Sequence, residues 1–382
     1  MLPVLFWILA LCAVYSYFLY PLALLLLRNL IRPDTIKAPA THASEPPFLS
    51  LIVTVYNEKH RIEQKIQNVL ALDYPPDRLE LIVASDCSDD GTDELVQGYA
   101  DRGIRLVRAQ DRLGKENAQL AAIQAAKGEV LVFSDVATQM DPEALQNLSL
   151  YFADSRVGAV SSEDRFISKS GKVAGEGAYV KYEMWLRRQE SQLGGLVGLS
   201  GSFFAARAEV CEQWDIHSPS DFNTALNCAR LGLRSVTAPD VLGYYEDLKD
   251  ASREYARKVR TVLRGMTGLA RHPDVLNPVR FGLFSFQVFS HKLMRWGVPW
   301  FLGALLVVTL VLANDGWIYS LALVAQAVFY GVAAWGHWGR RGQDHSAVRL
   351  VYFFVQVNLA LADSAIQFVK GKRMTTWKPS AR

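Results

Sequence analysis

At 382 residues, half of them apolar and 21% charged, the chain has room for one domain of ordinary size plus further elements. A formal net charge of +3, with no lysine-arginine stripe carrying interleaved aromatics, excludes the electrostatic footprint of a nucleic-acid binder. Cys12, Cys87, Cys211 and Cys228 form neither a CxxC pair nor a zinc spacing, so they read as reduced thiols. These averages hide a division. Apolar residues gather at both ends, while the stretch from 48 to 275 has the mixture of an ordinary globular domain.

Leu2 to Ile31 carries no charge before Arg28. A bilayer core of ~30 Å takes about 20 apolar residues as a helix, so residues 1–32 suffice for one crossing. A cleaved signal peptide has a basic start and an apolar core of roughly 7 to 15 residues. Here no basic residue precedes a much longer run, which favours a retained anchor. Residues 33–47, rich in Pro, Ala, Thr and Ser, read as a linker.

Leu49 to Val55 is a continuous β-branched and apolar run, the pattern of a strand buried on both faces. It ends at Tyr56-Asn57-Glu58. A helical pattern follows to Leu72, with Ile62, Ile66, Val69 and Leu70 on one face, and Tyr74-Pro75-Pro76 closes it. Leu79 to Ala84 is a second strand, ending at the polar stretch from Ser85 to Thr92. Asp93 to Ala100 is helical, and Ile104 to Arg108 is a third strand. Lys115 to Ala126 is an alanine-rich helix stopped by Gly128. Val130 to Phe133 is a fourth strand, ending at Ser134-Asp135. Strand alternating with helix predicts an α/β domain with a mostly parallel sheet. Ligands of such sheets bind beyond the carboxyl ends of the strands, and three polar clusters fall there: Tyr56-Asn57-Glu58, Asp86 to Thr92, and Asp135. One Asp-rich loop is ordinarily a turn with a helix cap. Three on one rim predict a binding site. No GxGxxG follows a strand, which speaks against a dinucleotide oxidoreductase.

Residues 276–296 mix Phe281, Phe284, Phe286 and Phe289 with Arg280, His291, Lys292 and Arg295, which suits an amphipathic helix lying in the interface. Residues 297–370 hold three further membrane candidates: Val298 to Ala313, Trp317 to Trp335, and a more polar one from Leu350 to Val369. Basic residues favour the cytosolic side. Those after the first helix, before the second and between the third and fourth all predict a cytosolic middle domain. Four full crossings would place the basic tail, residues 371–382, outside. The tail's charge instead suggests a cytosolic end beside anionic headgroups, with the last segment re-entrant or interfacial.

The ordered set Val55-Tyr56-Asn57-Glu58, Ser85 to Thr92, Gly114-Lys115 and Val132-Phe133-Ser134-Asp135 resembles family 2 glycosyltransferases. The likeness is to their membrane-bound branch, which includes bacterial exopolysaccharide, cellulose, hyaluronan and poly-N-acetylglucosamine synthases. The resemblance implies a GT-A fold, flanked here by transmembrane helices, in the bacterial inner membrane. It implies that Thr54, Tyr56 and Glu58 border the nucleoside, that Asp86 binds the base, commonly uracil, and that Lys115 lies near the phosphates. Asp135 matches the first carboxylate of the family's DxD and would hold Mg²⁺ or Mn²⁺. The second position is Ala137. Gly198 to Phe204 resembles the acceptor-pocket loop, and Ser220-Asp221-Phe222 the segment whose Asp is the catalytic base. Arg260 matches the Arg of QxxRW, with Arg257 in place of the Gln and Thr261 in place of the Trp. Without that Trp the sequence departs from the processive polymerases.

The implied reaction is inverting transfer of a sugar from a nucleotide-sugar donor, a UDP-sugar, to a lipid-linked or growing glycan acceptor in cell-envelope or exopolysaccharide biosynthesis. The acceptor hydroxyl needs a base, expected at Asp221. The leaving diphosphate needs positive charge, expected from a metal ion, Arg260 and Arg257. Trp185, Arg187 and Arg188 could bind acceptor or simply pack, and packing is the preferred reading. The rival reading is a degenerate, non-catalytic membrane subunit of a polysaccharide assembly complex, motivated by Ala137 and Thr261. A channel is disfavoured because the polar domain is the larger part.

Overall fold

The computed structural model describes the chain except residues 34–35, 37, 40–44, 168–177, 247–250, 340–344 and 375–382. Most of the basic tail thus lies outside the described residues. The chain divides into two units. One comprises Met1–Ala23, Asp250–Met266 and Val288–Arg373, and the other Leu24–Lys249, Thr267–Gln287 and the chain end.

The first helix, α1, runs Leu2–Ile31. The larger unit then builds β1 (Leu49–Val55), α2 (Ile62–Leu70), β2 (Leu79–Ser85), α3 (Thr92–Gln97), β3 (Ile104–Arg108), α4 (Lys115–Ala125) and β4 (Val130–Asp135). Next come β5 (Gln139–Met140), α5 (Ala144–Tyr151), β6 (Val157–Ile167), α6 (Ala178–Gln192), β7 (Phe203–Arg207), α7 (Ser220–Arg230) and β8 (Arg234–Glu246). The eight strands form one sheet in the order β3-β2-β1-β4-β7-β6-β8-β5. The half named from hydrophobic runs, β3 to β4, is parallel throughout. β7 runs antiparallel to both β4 and β6, β6 pairs with β8 in parallel, and β5 pairs antiparallel with β8.

All seven residues of β1 are buried, because helices cover both faces. Leu49, Leu51, Val53 and Val55 point to one face, where they pack with Ile62, Ile66 and Val69 of α2 and Leu145 and Leu148 of α5. Ile52 points to the other, with Ala118 and Ala122 of α4. There Phe133 is stacked between Phe204 and Trp214, with ring centroids 4.8 and 5.2 Å away. The chain passes so close to β1 before β4 that a methyl at Gly128 would stand 2.5 Å from the Ser50 amide nitrogen and hydroxyl. Gly128 N–H donates to that hydroxyl at 2.7 Å. Gly128→Ala is therefore expected to cost roughly 1–3 kcal/mol through a forced backbone shift, read as a lower denaturation midpoint with unchanged slope. A midpoint equal to wild type would contradict this packing.

The smaller unit holds most of α1, much of α8 (Ala251–Arg271), and all or, for α9, most of three helices long and apolar enough to cross a membrane, as α1 is: α9 (Pro278–Val311), α10 (Trp317–Trp338) and α11 (Ser346–Val369). Their outer faces leave Trp7, Phe18, Leu310, Leu321, Val328 and Leu359 exposed, as lipid-facing residues would be. Inside, Phe6 meets the Tyr319 ring edge-on at 5.1 Å, and Tyr15 Oη and Ser290 Oγ lie 2.9 Å apart. α9 continues from the amphipathic stretch into the apolar one, bending at Gly282 (φ 51°) and passing a π-turn at Phe289–Leu293. Even counted only past the non-helical Gly282, it exceeds the about 20 residues that a ~30 Å core requires. α11 is one unbroken helix, so it has no re-entrant hairpin. Its polar residues turn inward: Asn358 and Ser364 are buried, and Ser364 Oγ donates to the Val259 carbonyl at 3.2 Å.

Candidate active site

The rim at the carboxyl ends of β1, β2 and β4 is laced together by short polar side chains. Asn57 N–H donates to Ser88 Oγ at 3.1 Å. Asn57 Nδ2 donates to Asp89 Oδ1 at 2.7 Å, and Asp89 N–H returns a bond to Asn57 Oδ1 at 3.0 Å. Glu58 N–H donates to Thr92 Oγ1 at 2.9 Å, and its carboxylate pairs with Arg61 at 3.5 Å. Asn57 and Cys87 both hold positive φ, 52° and 60°, a conformation uncommon for residues other than glycine. Such local strain clusters at functional sites.

Two buried oxygens on this rim have no hydrogen-bond partner among the described residues: Thr54 Oγ1 and Asp86 Oδ2. Asp86 is 1% exposed. Its other oxygen accepts the Gly114 N–H at 3.0 Å. Burial pushes its carboxyl above the usual range, against the pull of the Gly114 amide and Arg112. A buried acceptor without a donor is costly. A ligand N–H, such as the imide of a nucleobase, would satisfy it. Beside it the Arg112 guanidinium lies over the Tyr56 ring, 3.9 Å from its centroid, an arrangement worth about 0.5–2 kcal/mol.

The second cluster forms where α4 begins. Gly114, at φ 112°, takes a turn that a side chain would strain, and it starts the helix at Lys115. Lys115 Nζ donates to Asp135 Oδ1 at 2.6 Å and to the Gly201 carbonyl at 2.9 Å. Asp135 N–H donates to the Ser202 carbonyl at 2.9 Å. Asp221 sits in the first turn of α7, and Leu199 N–H donates to its carbonyl at 3.2 Å. A methyl at Gly201 would stand 3.5 Å from Asp221 Oδ2, so the glycine leaves open the space beside that carboxylate. The structure thus brings Lys115, Asp135 and Asp221, from three distant stretches of chain, around Gly201. Arg257 and Arg260 belong to the other unit. They stand three residues apart on α8, hence on one side of it.

Among the described residues no group of three His, Cys, Asp or Glu is placed to hold a metal ion. Asp135 offers one carboxylate, a third exposed. Mg²⁺ is held by one or two carboxylates when phosphates and water supply the rest, so Asp135 fits such an ion only together with a bound diphosphate. Two groups behind Asp135 escape sequence reading. Lys65 is 2% exposed and donates to Ser134 Oγ at 2.7 Å and to the Thr138 carbonyl at 2.5 Å. Burial pushes its ammonium down to about 7, with the Asp135 charge pulling the other way. Its signal is present in the sequence: Lys65 occupies the i+3 place of the apolar stripe Ile62, Ile66, Val69. Asn68, one turn on, bonds both the N–H and the carbonyl of Met140 at 2.9 Å. α2 therefore pegs the whole turn after Asp135. Arg187 and Arg188 make polar contacts within the domain: Arg187 donates to Ser161 Oγ and Arg188 pairs with Glu163.

The family model for glycosyl transferase family 2 matches residues 50–214. Those residues are a family 2 glycosyl transferase domain. The chain shares 26% identity over 189 residues with the beta-monoglucosyldiacylglycerol synthase of Trichormus variabilis, covering 46% of this chain and 39% of that protein. It shares 29% over 178 residues with the poly-beta-1,6-N-acetyl-D-glucosamine synthase of Staphylococcus aureus, covering 45% and 42%. The chain thus matches about two fifths of the length of these relatives. The fold is similar to that of the mannosyltransferase PcManGT from Pyrobaculum calidifontis, solved with GDP-Man and Mn²⁺. The TM-score is 0.75 over 98% of this chain and 100% of that one, at 23% identity. The glycosyl transferase domain has the GT-A fold, as the resemblance implied. All three motif clusters from 54 to 135 lie within it, while Asp221 and the arginines of α8 lie beyond the matched residues.

Proposed function

We propose that the protein is an inverting glycosyltransferase of the bacterial inner membrane. It moves a sugar from a UDP-sugar to a lipid-linked or growing glycan acceptor in cell-envelope or exopolysaccharide synthesis. The observation that carries this reading is the gathering of Lys115, Asp135 and Asp221 around Gly201, with a buried Asp86 whose Oδ2 has no hydrogen-bond partner among the described residues. The glycolipid and polysaccharide synthases among the relatives, and the four helices long enough to cross a membrane, support it.

In this reading Asp86 Oδ2 accepts the base N–H, and Tyr56 and Arg112 flank the base. Thr54 and Glu58 border the nucleoside. Lys115 lies at the diphosphate, and its charge offsets the charge that develops as the sugar leaves. Mg²⁺ or Mn²⁺, held by Asp135 with the diphosphate oxygens, would supply further positive charge. Asp221 takes the acceptor hydroxyl proton as oxygen attacks the anomeric carbon from the face opposite the diphosphate. The domain faces the cytosol. Uridine diphosphate is expected to compete with the donor at least tenfold better than guanosine diphosphate, a preference of about 1.4 kcal/mol. Stronger inhibition by the guanosine compound would overturn the donor class.

A further inference from the structure

The stretch from Leu199 to Ser202 presents the carbonyls that hold the centre of the site, yet Gly201 has no side chain to fix it. Its neighbours do. Ser200 Oγ donates to both oxygens of Asp164 on β6, at 2.7 and 2.8 Å. Ser202 Oγ donates to Asp164 Oδ1 at 2.7 Å. Ser200 N–H is held by Ser161 Oγ at 2.8 Å, and that hydroxyl takes a bond from Arg187 at 2.7 Å. The clamped serines flank the Gly201 carbonyl that receives Lys115, and the Ser202 carbonyl receives the Asp135 N–H. A part-buried carboxylate that serves stability alone is an uneconomical choice, since desolvating it costs several kcal/mol. Besides Tyr245 and a longer contact from Ser162 Oγ at 3.5 Å, this one gains the hydroxyls of Ser200 and Ser202, and through those two, two carbonyls aimed at the site.

We propose that Asp164 is a positioning residue of the transfer site: by clamping Ser200 and Ser202 it fixes the two carbonyls that hold Lys115 and Asp135 at the donor's diphosphate. The inference rests on the donor-site reading above. Burial raises the Asp164 carboxyl, while the two serines and Arg187 pull it down, in keeping with a carboxylate that needs those hydroxyls.

The test is a double-mutant cycle on the full-length protein in detergent, read by uridine diphosphate binding. Asp164→Asn keeps the side-chain volume and is expected to weaken binding about fivefold to tenfold, which lies within the range found for coupled neighbours in one network. In a Lys115→Met background the same substitution is expected to change binding by a clearly smaller factor, because one of the two groups it positions is gone. A purely structural Asp164 would weaken both backgrounds equally, and that result would overturn the inference, as would wild-type affinity in Asp164→Asn. Should that variant fail to fold, Ser202→Ala run through the same cycle decides on the same terms. Wild-type protein that binds neither uridine nor guanosine diphosphate would instead overturn the donor-site reading beneath it.

Discussion

Asp221→Asn is expected to lower the rate of sugar transfer by about 10²- to 10⁴-fold, the usual contribution of a positioned general base, while leaving uridine diphosphate binding within twofold of wild type. The substitution keeps the shape of the side chain in the first turn of α7 and removes only its basicity. Asp221 lies beside Gly201, which the reading places on the acceptor side of the Lys115–Asp135 pair, so the donor has no reason to sense the change. The two readouts must separate. Parallel loss of binding and transfer would make Asp221 a donor-site residue, and unchanged transfer would remove it from the chemistry.

Lys115→Met is expected to fail differently. Its ammonium is bonded to Asp135 Oδ1 and to the Gly201 carbonyl, so it supplies fixed positive charge at the point where the reading places the diphosphate. Loss of one such preorganised group typically costs 10²- to 10³-fold in rate. Here uridine diphosphate affinity should fall as well, because the product carries the charge that Lys115 answers. Lys115→Arg is not expected to rescue. A guanidinium is a planar fork, whereas this place between one carboxylate oxygen and one carbonyl suits a point charge. The stability cost should be modest, since Asp135 is exposed enough to be rehydrated. Full activity in Lys115→Met would show that the leaving group is stabilised elsewhere.

Much of this site can be read from sequence, and for a definite reason. The parallel half of the sheet is built from strands buried on both faces, which print as unbroken apolar runs. β1 and β3 have the bounds those runs predict, and β2 and β4 end within two residues of theirs. The polar clusters that interrupt the runs must then fall at strand ends, where the fold puts ligands. The antiparallel half has no such print. β6 runs from Val157 into Ser161, Ser162, Glu163 and Asp164, residues that look like loop but point their side chains into a polar network. Asp164 is invisible to such reading because its partners, Ser200 and Ser202, are 36 and 38 residues away. Lys65 is easily overlooked because a lysine on a helix is ordinarily a solvated charge. Its place inside an apolar stripe is the clue. The change from amphipathic to apolar sequence near Trp296 is legible, but α9 shows that composition can change within one helix. Helical backbone bonding does not depend on which face of the helix is greasy.

The most direct test of the central claim is transfer itself. The purified full-length protein, in native bacterial lipid extract with Mn²⁺, is given a panel of labelled uridine and guanosine diphosphate sugars. Release of uridine diphosphate from one donor, matched by label in the lipid or glycan fraction and lost in Asp221→Asn, is the predicted result. Binding of nucleotide with no release from any donor would contradict the account and favour a non-catalytic membrane subunit.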